Sequence, residues 1–281
     1  MGPLRILIPV VLVVITMSGT LATAQFRFDR GQDVSPTFDG WERNPNGTYT
    51  FYFGYFNRNA SEEIDIPVGP DNTMDGGPDR GQPTHFYAGP GRQWWVFRIV
   101  VPKDWPKEQR LVWTLRHRGR VNQAKAWLQP EWEVDADLIA RNGRDAFLFS
   151  VSGDVSIDMS NRAPTISGPA SQSVALTEAA TLTVTAVDDG RPAPPPAAPQ
   201  GRARPSGLRF RWTVYRAPGK VHFDPETIGP FPTAPAKAET KVTFSAPGNY
   251  RLRAIASDGQ LFSTHDVDVT VLPRATARAE R

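Results

Sequence analysis

Hydrophobic and polar residues alternate with a period of two along most of the chain. The segment TYTFYFGYF, residues 48–56, is a clear example, with Tyr49, Phe51, Phe53 and Tyr55 at every second position. No window of helical length keeps an apolar stripe at positions i, i+3, i+4 and i+7. Because successive side chains of a strand point to opposite faces, this pattern predicts an all-β fold.

The predicted strands fall into two groups, separated by a stretch in which the alternation weakens. We therefore predict two β-sandwich domains, at residues 34–140 and 163–273, and expect the second to be immunoglobulin-like. Residues 141–162 would form a linker or a final strand of the first domain. The remaining segments of the mature chain are a short N-terminal segment and a basic tail, residues 25–33 and 274–281.

Residues 1–24 have the organisation of a secretory signal peptide. Arg5 precedes an apolar run at residues 6–15, and small residues end the segment as Ala-Thr-Ala. The run is shorter than the ~20 residues that a membrane-spanning helix needs. We expect cleavage after residue 24, no membrane span in the mature chain, and an exported protein that is periplasmic, cell-surface or secreted.

Composition narrows the classes of function. Lys and Arg number 32 against 29 Asp and Glu, a net charge of +3 that is too small to predict a nucleic-acid partner. The chain has no cysteine, which excludes disulfides and thiolate metal sites. The four histidines are scattered, and we find no nucleophile elbow, zinc motif, phosphate loop or dinucleotide fingerprint. We expect no catalytic activity and no cofactor, although calcium is considered below.

The second half resembles a known group of modules. The segments NRAPTI, LTVTAVDDG, LRFRWTVY and APGNYRLRAIASDG are similar to the PKD, cadherin-like and related immunoglobulin-like modules of exported bacterial proteins. The resemblance implies that Trp212 is the core tryptophan of the third strand and that the Tyr250 hydroxyl bonds back to nearby backbone as a tyrosine corner. It also implies that Leu252 stands where antibody domains have their second cysteine.

The stretch at residues 38–72, FDGWERNPNGTYTFYFGYFNRNASEEIDIPVGPDN, resembles the start of uncharacterised exported proteins from soil-type bacteria. This resemblance implies export and no particular activity.

Seven of the eight tryptophans lie in the first half. Trp94 and Trp95 are adjacent, so within one strand they would point to opposite faces, and either both faces are covered or one indole is exposed. An exposed aromatic platform suits sugar rings or peptides, because flat apolar rings bury area at low entropic cost. The first candidates for such a platform are Trp41, Tyr52 and Trp94. The alternative is a strand that is buried on both faces.

The segment at residues 69–86 loosely resembles a calcium loop, with Asp71, Asp75 and Asp79 at four-residue spacing. It departs from the EF-hand pattern, because position 12 is Gln82 instead of a bidentate Glu. An ordinary hairpin loop is the alternative. A second set of candidate calcium ligands stands at predicted strand ends, where Asp-Gly turn chemistry is the alternative: Asp188, Asp189 and Asp258.

If the third, sixth and seventh strands of the second domain share a sheet, Arg251 and Arg253 would face Asp266 and Asp268 across neighbouring strands. We expect a ladder of charge pairs there, in preference to an anion-binding face.

These observations favour an exported, non-catalytic binding or scaffolding protein of the bacterial envelope that acts through β-sandwich interaction domains. The partner would be an envelope protein or a polysaccharide. The alternative is a carbohydrate-binding module that uses exposed aromatics of the first domain.

Overall fold

The structure, a computed structural model, describes residues 28–89, 91–135, 138–139, 158–193 and 207–274. The regular secondary structure of these residues is almost entirely strand, apart from one 3₁₀ turn at Pro130–Trp132 and two helical residues at 138–139. The prediction of an all-β fold is confirmed. The predicted signal peptide, most of the predicted linker and all but the first residue of the predicted basic tail lie outside the described residues.

The described residues of the first half form eight strands. They are β1 (Val34–Arg43), β2 (Tyr49–Asn57), β3 (Ile64–Asp65), β4 (Asn72–Met74), β5 (His85–Phe86), β6 (Gln93–Val101), β7 (Leu111–His117) and β8 (Arg120–Ala126). Two three-stranded antiparallel sheets have the orders β1-β2-β6 and β4-β7-β8, and β3 pairs with β5.

Aromatic side chains fill the space between the two three-stranded sheets. Phe53 and Phe97, on neighbouring strands of one sheet, stack with ring centroids 5.1 Å apart. Trp113 of the opposite sheet meets Phe97 edge-on at 4.9 Å and donates its indole N–H to Asn72 Oδ1 at 2.9 Å. This interlocking core follows from the period-two pattern, since the residues at every second position of each strand face the other sheet.

Nine strands are formed by the residues of the second half that the structure describes. They are β9 (Thr165–Ser167), β10 (Ser171–Ala175), β11 (Ala180–Val187), β12 (Leu208–Arg216), β13 (Val221–Asp224), β14 (Thr227–Phe231), β15 (Ala236–Phe244), β16 (Gly248–Ser257) and β17 (Phe262–Leu272). They form a five-stranded sheet, β10-β17-β16-β12-β14, over a four-stranded sheet, β13-β15-β11-β9. The parallel pairing of β10 with β17 is the one departure from antiparallel order among these strands. The sandwich is immunoglobulin-like.

The three core positions implied by the resemblance are buried in this sandwich. Trp212 in β12 is completely buried and stacks on Phe223 of the opposite sheet. The Tyr250 hydroxyl donates a 2.7 Å hydrogen bond to the Ala246 carbonyl, which is the geometry of a tyrosine corner. Leu252 is also completely buried.

Charged side chains pair across β16 and β17 on the outer face of the five-stranded sheet. Arg251 and Asp268 meet at 2.8 Å, and Arg253 and Asp266 at 2.7 Å, both with two-point geometry. The predicted charge ladder is confirmed.

Candidate functional site at the junction of the two sandwiches

A tyrosine of the second sandwich belongs to the hydrophobic core of the first. Alternation along β12 buries Trp212 and Val214 inside their own sandwich and directs Tyr215 to the outer face, next to a shift in the β12–β16 register between Val214 and Arg216. Tyr215 turns outward into the first sandwich, where its ring joins the aromatic cluster and its hydroxyl donates to the Gly81 carbonyl. The amide of Thr84 donates to the Tyr215 carbonyl at 3.1 Å.

The next residue adds charged and polar contacts between the sandwiches. Arg216 holds both carboxylate oxygens of Asp79 at 2.8 Å and also donates to the Gln82 carbonyl at 3.0 and 2.7 Å. The Arg216 hydrogen bonds lower the pKa of Asp79 to about 2, against the raising effect of partial burial. Such two-point arginine–carboxylate contacts fix orientation as well as distance.

Two further contacts cross the junction. The Tyr87 hydroxyl accepts the amide of Val214, and Arg253 donates to the Val96 carbonyl on β6. Together with Tyr215 and Arg216, these contacts tie the loop before β5, the segment after it and β6 to strands β12 and β16.

A cleft of about 720 Å³ lies beside this junction. The first sandwich contributes Tyr52, Trp95 and Arg98 to its walls, and the second contributes Arg253, Phe262 and Asp266. A smaller, mainly apolar cavity of about 40 Å³ lies against the same tryptophan. Aromatic rings and charged groups thus meet in one concave surface, which is the general form of a binding site.

Trp95 is held in an unusual backbone conformation at this cleft. Its φ is +58°, in the left-handed region that bulky residues rarely adopt. The Asp39 carboxylate accepts the Trp95 amide at 2.7 Å and pairs with Arg92, whose guanidinium lies 3.8 Å above the Trp94 ring. Burial raises the pKa of Asp39 to about 6, although the Arg92 charge opposes this shift.

Gly54 shows why this arrangement suits the local sequence. A Cβ at this position would lie 2.1 Å from the Gln93 carbonyl oxygen and 2.5 Å from Asp39 Oδ2. Strand β6 bulges between Gln93 and Phe97, and Gly54 is the residue of β2 that lies opposite this bulge. A larger residue than glycine has no room there.

The structure corrects the predicted aromatic platform. Trp41 is 4% exposed and donates its indole N–H to the Gln129 carbonyl, because the segment that contains the 3₁₀ turn covers it. Tyr52 is 9% exposed, lies edge-on against Trp95 at 5.3 Å and donates to Glu42 at 2.6 Å. Their expected exposure was wrong, and Trp94 alone of the three is half-buried.

The expectation that Trp94 and Trp95 point to opposite faces also fails. Their ring centroids are 5.9 Å apart, and both rings line the small apolar cavity. The left-handed residue breaks the strand alternation on which that expectation depended.

The three aspartates of the candidate calcium loop are engaged separately. Asp75 accepts the Val112 amide at 3.0 Å, Asp79 binds Arg216, and the main-chain carbonyl of Asp71 accepts the Arg116 amide at 2.8 Å. Within the described ranges, no three His, Cys, Asp or Glu side chains are grouped so that they could hold a metal ion. The structure does not bring these carboxylates together.

Asp258 of the second candidate set caps a turn. Its carboxylate accepts the amides of Gln260 and Leu261 at 2.6 and 2.7 Å and the side-chain amide of Asn161 at 3.0 Å. Burial raises its pKa to about 6, against the effect of these hydrogen bonds. These bonds stabilise a turn, which is the alternative to calcium binding given above for Asp258.

Sequence reasoning missed the residues that build the junction. Tyr215 had a weak signal, since the pair Val214-Tyr215 places two large apolar residues in succession where the strand should alternate. His85, which also lines the small cavity, lies 2.8 Å from Asp65 and 3.4 Å from Glu63. Burial lowers its pKa, but the hydrogen bonds to the two carboxylates outweigh this effect and raise the pKa to about 9. No spacing in the sequence indicated this cluster.

None of the helical residues that the structure describes forms a segment long and apolar enough to cross a membrane.

Comparisons with known proteins give low similarities. No family model matches the chain, and no curated protein matches it in sequence. Among solved structures, the PKD domain of an M14-like peptidase from a Thermoplasmatales archaeon is 20% identical, with 41% of this chain and 99% of that chain covered and a TM-score of 0.23.

Two further solved structures cover more of the chain. The D00-D0 domain of intimin is 10% identical over 85% of this chain and 100% of that chain, with a TM-score of 0.25. The fibronectin(III)-like modules of Clostridium thermocellum CbhA are 13% identical over 88% and 99%, with a TM-score of 0.24. At these scores the likeness transfers no function to this chain.

Proposed function

We propose that this chain is an exported, non-catalytic protein of the bacterial envelope that binds another protein through two β-sandwiches held as one unit. The observation that carries the proposal is the junction, in which Tyr215 enters the neighbouring core and Arg216 grips Asp79. A fixed junction holds the cleft and the strand edges of both sandwiches in a constant relation. Preorganised surfaces of this kind lose less conformational freedom on binding.

Acidic side chains of the first half could in principle supply the carboxyl pair of a glycosidase, and the environments of Glu62, Glu131 and Glu133 support a non-catalytic role. Glu62 accepts the Gly31 amide and pairs with Arg118, each at 2.7 Å. Glu131 lies in the 3₁₀ turn, Glu133 follows it, and both are exposed. A glycosidase pair needs two carboxyl groups that face one cleft, and none of these three lines the cleft at the junction. The carboxylates that do line it, Glu42 and Asp266, are bonded to Tyr52 and Arg253.

The burial of the aromatic candidates favours a protein partner over a polysaccharide. Sugar rings stack on open aromatic faces. Trp41 and Tyr52 are covered, and the Arg92 guanidinium occupies one face of Trp94. The carbohydrate alternative therefore depends on the remaining face of a single half-buried indole.

The experiment is an affinity capture with the mature chain, residues 25–281, from bacterial envelope and secreted fractions, with insoluble polysaccharides tested in parallel. We expect one protein to be retained and to bind saturably when it is purified and mixed with the bait, and no polysaccharide to be retained. Retention of a polysaccharide that is lost in Trp94→Ala would overturn the proposal in favour of carbohydrate binding. The variant Trp132→Ala, at another partly exposed tryptophan, is the matched control.

A further inference from the structure

Strand β6 forms one edge of the sheet β1-β2-β6, and no strand among the described residues pairs with its outer side. It has nine residues, and Val100 on its outer face is 58% exposed. A long, apolar edge strand is a ready template for pairing with another chain unless something protects it.

The main-chain groups of Arg98 and Val100 point away from β2. Pro36 lies opposite Tyr55 in the β1–β2 register and has no N–H, so Tyr55 directs its main-chain groups towards β6 instead. By alternation Phe53 does the same, and its partner Phe97 completes that hydrogen-bonded pair. The residues that alternate with these hydrogen-bonded pairs along β6, Arg98 and Val100, then direct their main-chain N–H and C=O groups away from β2.

The contact between Arg253 and the Val96 carbonyl gives independent support. A carbonyl that accepts a hydrogen bond from the second sandwich is directed away from β2. Val96, Arg98 and Val100 are alternate residues of β6, so their main-chain groups point to the same side of the strand. Among the described residues, the second sandwich therefore caps one end of the edge, and no strand pairs with the main chain of Arg98 and Val100.

Other sheet edges in the described part of the chain are shorter or blocked. Strands β9, β10, β13 and β14 have at most five residues, and β14 also contains Pro230. Strand β8 carries exposed Arg120 and Lys125. The main chain of β1 is engaged, because Trp41 O accepts the Val134 amide and Val34 O accepts the Asn122 side chain. Charge, proline, bulges and shortness are the usual protections of an edge, and beyond the bulge at Trp95 the remaining residues of β6, 97–101, have Arg98 alone.

We propose that the free edge of β6 binds an extended segment of a partner protein as an added antiparallel or parallel strand, with an acidic side chain opposite Arg98. This proposal rests on the proposed function and names the surface that carries it. The cleft of about 720 Å³ includes Arg98 in its wall, so alternate side chains of the added strand would enter it. Arg98 is exposed and interacts with the Tyr52 hydroxyl, and its charge is the one that an acidic residue of the added strand would complement.

The decisive variant is Val100→Pro. It removes the outward N–H from the free edge without removing a bond to β2, and proline is tolerated on edge strands at such positions. Val100→Thr is the matched control, since it keeps the N–H and a β-branched side chain. Circular dichroism and thermal unfolding of both variants check that the fold is retained.

The probe is a displayed library of random nonapeptides, selected on the mature wild-type protein and counter-selected on Val100→Pro. We expect enriched peptides that contain an acidic residue and bind Val100→Thr like wild type, with about tenfold or greater loss on Val100→Pro. The N–H groups of every second peptide residue would point to β6. Methylation of one of these nitrogens should abolish binding, and methylation of the nitrogens between them should leave binding unchanged. Peptides that bind wild type and Val100→Pro equally, or that tolerate methylation at either parity, would refute strand addition.

Repeating the affinity capture with the Val100→Pro protein distinguishes failure of this proposal from failure of the proposed function. If the Val100→Pro protein still captures the same envelope protein as wild type, the binding function stands and the β6 edge is not its site. If neither protein captures a partner, both fail together. If the selected peptides bind only after residues 141–157 have been deleted, the edge is occupied by this chain itself and the partner proposal is overturned.

Discussion

The two sandwiches solve the same packing problem with different side chains. The first core is built from large aromatic rings, among them Phe51, Phe53, Phe97 and Trp113. The second contains small residues at many of the corresponding inner positions: Ala180, Ala186, Ala236, Ala238, Ala254 and Ala256. Both sandwiches contain bulges, at β1–β2 and β2–β6 in the first and on both sides of β12 in the second. The first also uses the ion pair of Arg92 with buried Asp39 and a left-handed tryptophan to fit its rings.

This difference indicates where each sandwich is sensitive. Regular alternation with small residues closes a core through the hydrophobic effect and needs few special contacts. An aromatic core needs a specific contact for each ring, and each buried Tyr hydroxyl or Trp N–H needs a hydrogen-bond partner. The junction belongs to the second kind, because the outward tyrosine of the second sandwich is received by the aromatic one.

Tyr215→Ala should have the largest effect. Removing a fully buried aromatic side chain leaves a cavity in the first core and should cost about 3–5 kcal/mol of unfolding free energy. Because the side chain comes from the other sandwich, we also expect urea unfolding to separate into two transitions, in place of a single one in wild type. Tryptophan fluorescence would report mainly on the first sandwich, because seven of the eight tryptophans lie in the first half. Tyrosine fluorescence and circular dichroism would follow the unfolding of both sandwiches.

Tyr215→Phe is the control for this prediction. It keeps the ring and loses the hydroxyl bond to the Gly81 carbonyl, which should cost about 1 kcal/mol and leave a single transition. An alanine variant that unfolds in one transition with an unchanged midpoint would show that the sandwiches are not coupled through this residue.

The paired variants Trp113→Phe and Trp212→Phe compare the two cores directly. Trp113 Nε1 bonds to buried Asn72, whereas Trp212 Nε1 has no hydrogen-bond partner within the part of the chain that the structure describes. Trp113→Phe should therefore destabilise the protein by about 1–3 kcal/mol more than Trp212→Phe, because it leaves a buried amide oxygen with one fewer donor. Thermal unfolding of both variants measures the difference, and equal losses would contradict the contrast between the cores.

The smallest expected effect is a pH dependence at His85. Its folded-state pKa of about 9 lies above the ordinary 6.5, so the stabilisation is fully present below pH 6.5 and is lost as the pH rises towards 9. The carboxylates of Asp65 and Glu63 are more than half exposed, so solvent screening should limit the change to about 1 kcal/mol. The midpoint of urea unfolding, measured from pH 7 to 9.5, above the range in which Asp39 and Asp258 titrate, should fall further in wild type than in His85→Gln.

His265→Gln is the matched control for this titration, since its ring bonds to the Pro169 carbonyl instead of a carboxylate. A wild-type profile that does not differ from that of His85→Gln would rule out the cluster as the source of the dependence.

The part of the fold that was predicted from the sequence is the part set by local periodicity. Alternation over the strands around Trp212 and Tyr250 specified the inner faces of the second sandwich, and the Arg251–Asp268 and Arg253–Asp266 pairs followed from its strand order. The exposure of Trp41 and Tyr52 was predicted wrongly, because the residues that cover them lie far away in the sequence or break the strand pattern.

The sequence by itself determined the all-β class, the strand faces and the core positions of the second sandwich, since side-chain direction in a strand depends on position alone. Only the tertiary structure decided which outward residues meet another surface. Tyr215, Arg216 and Asp79 come together across 137 positions, and the free edge of β6 is defined by which strands do not reach it. Such relations depend on long-range packing, which no local spacing encodes.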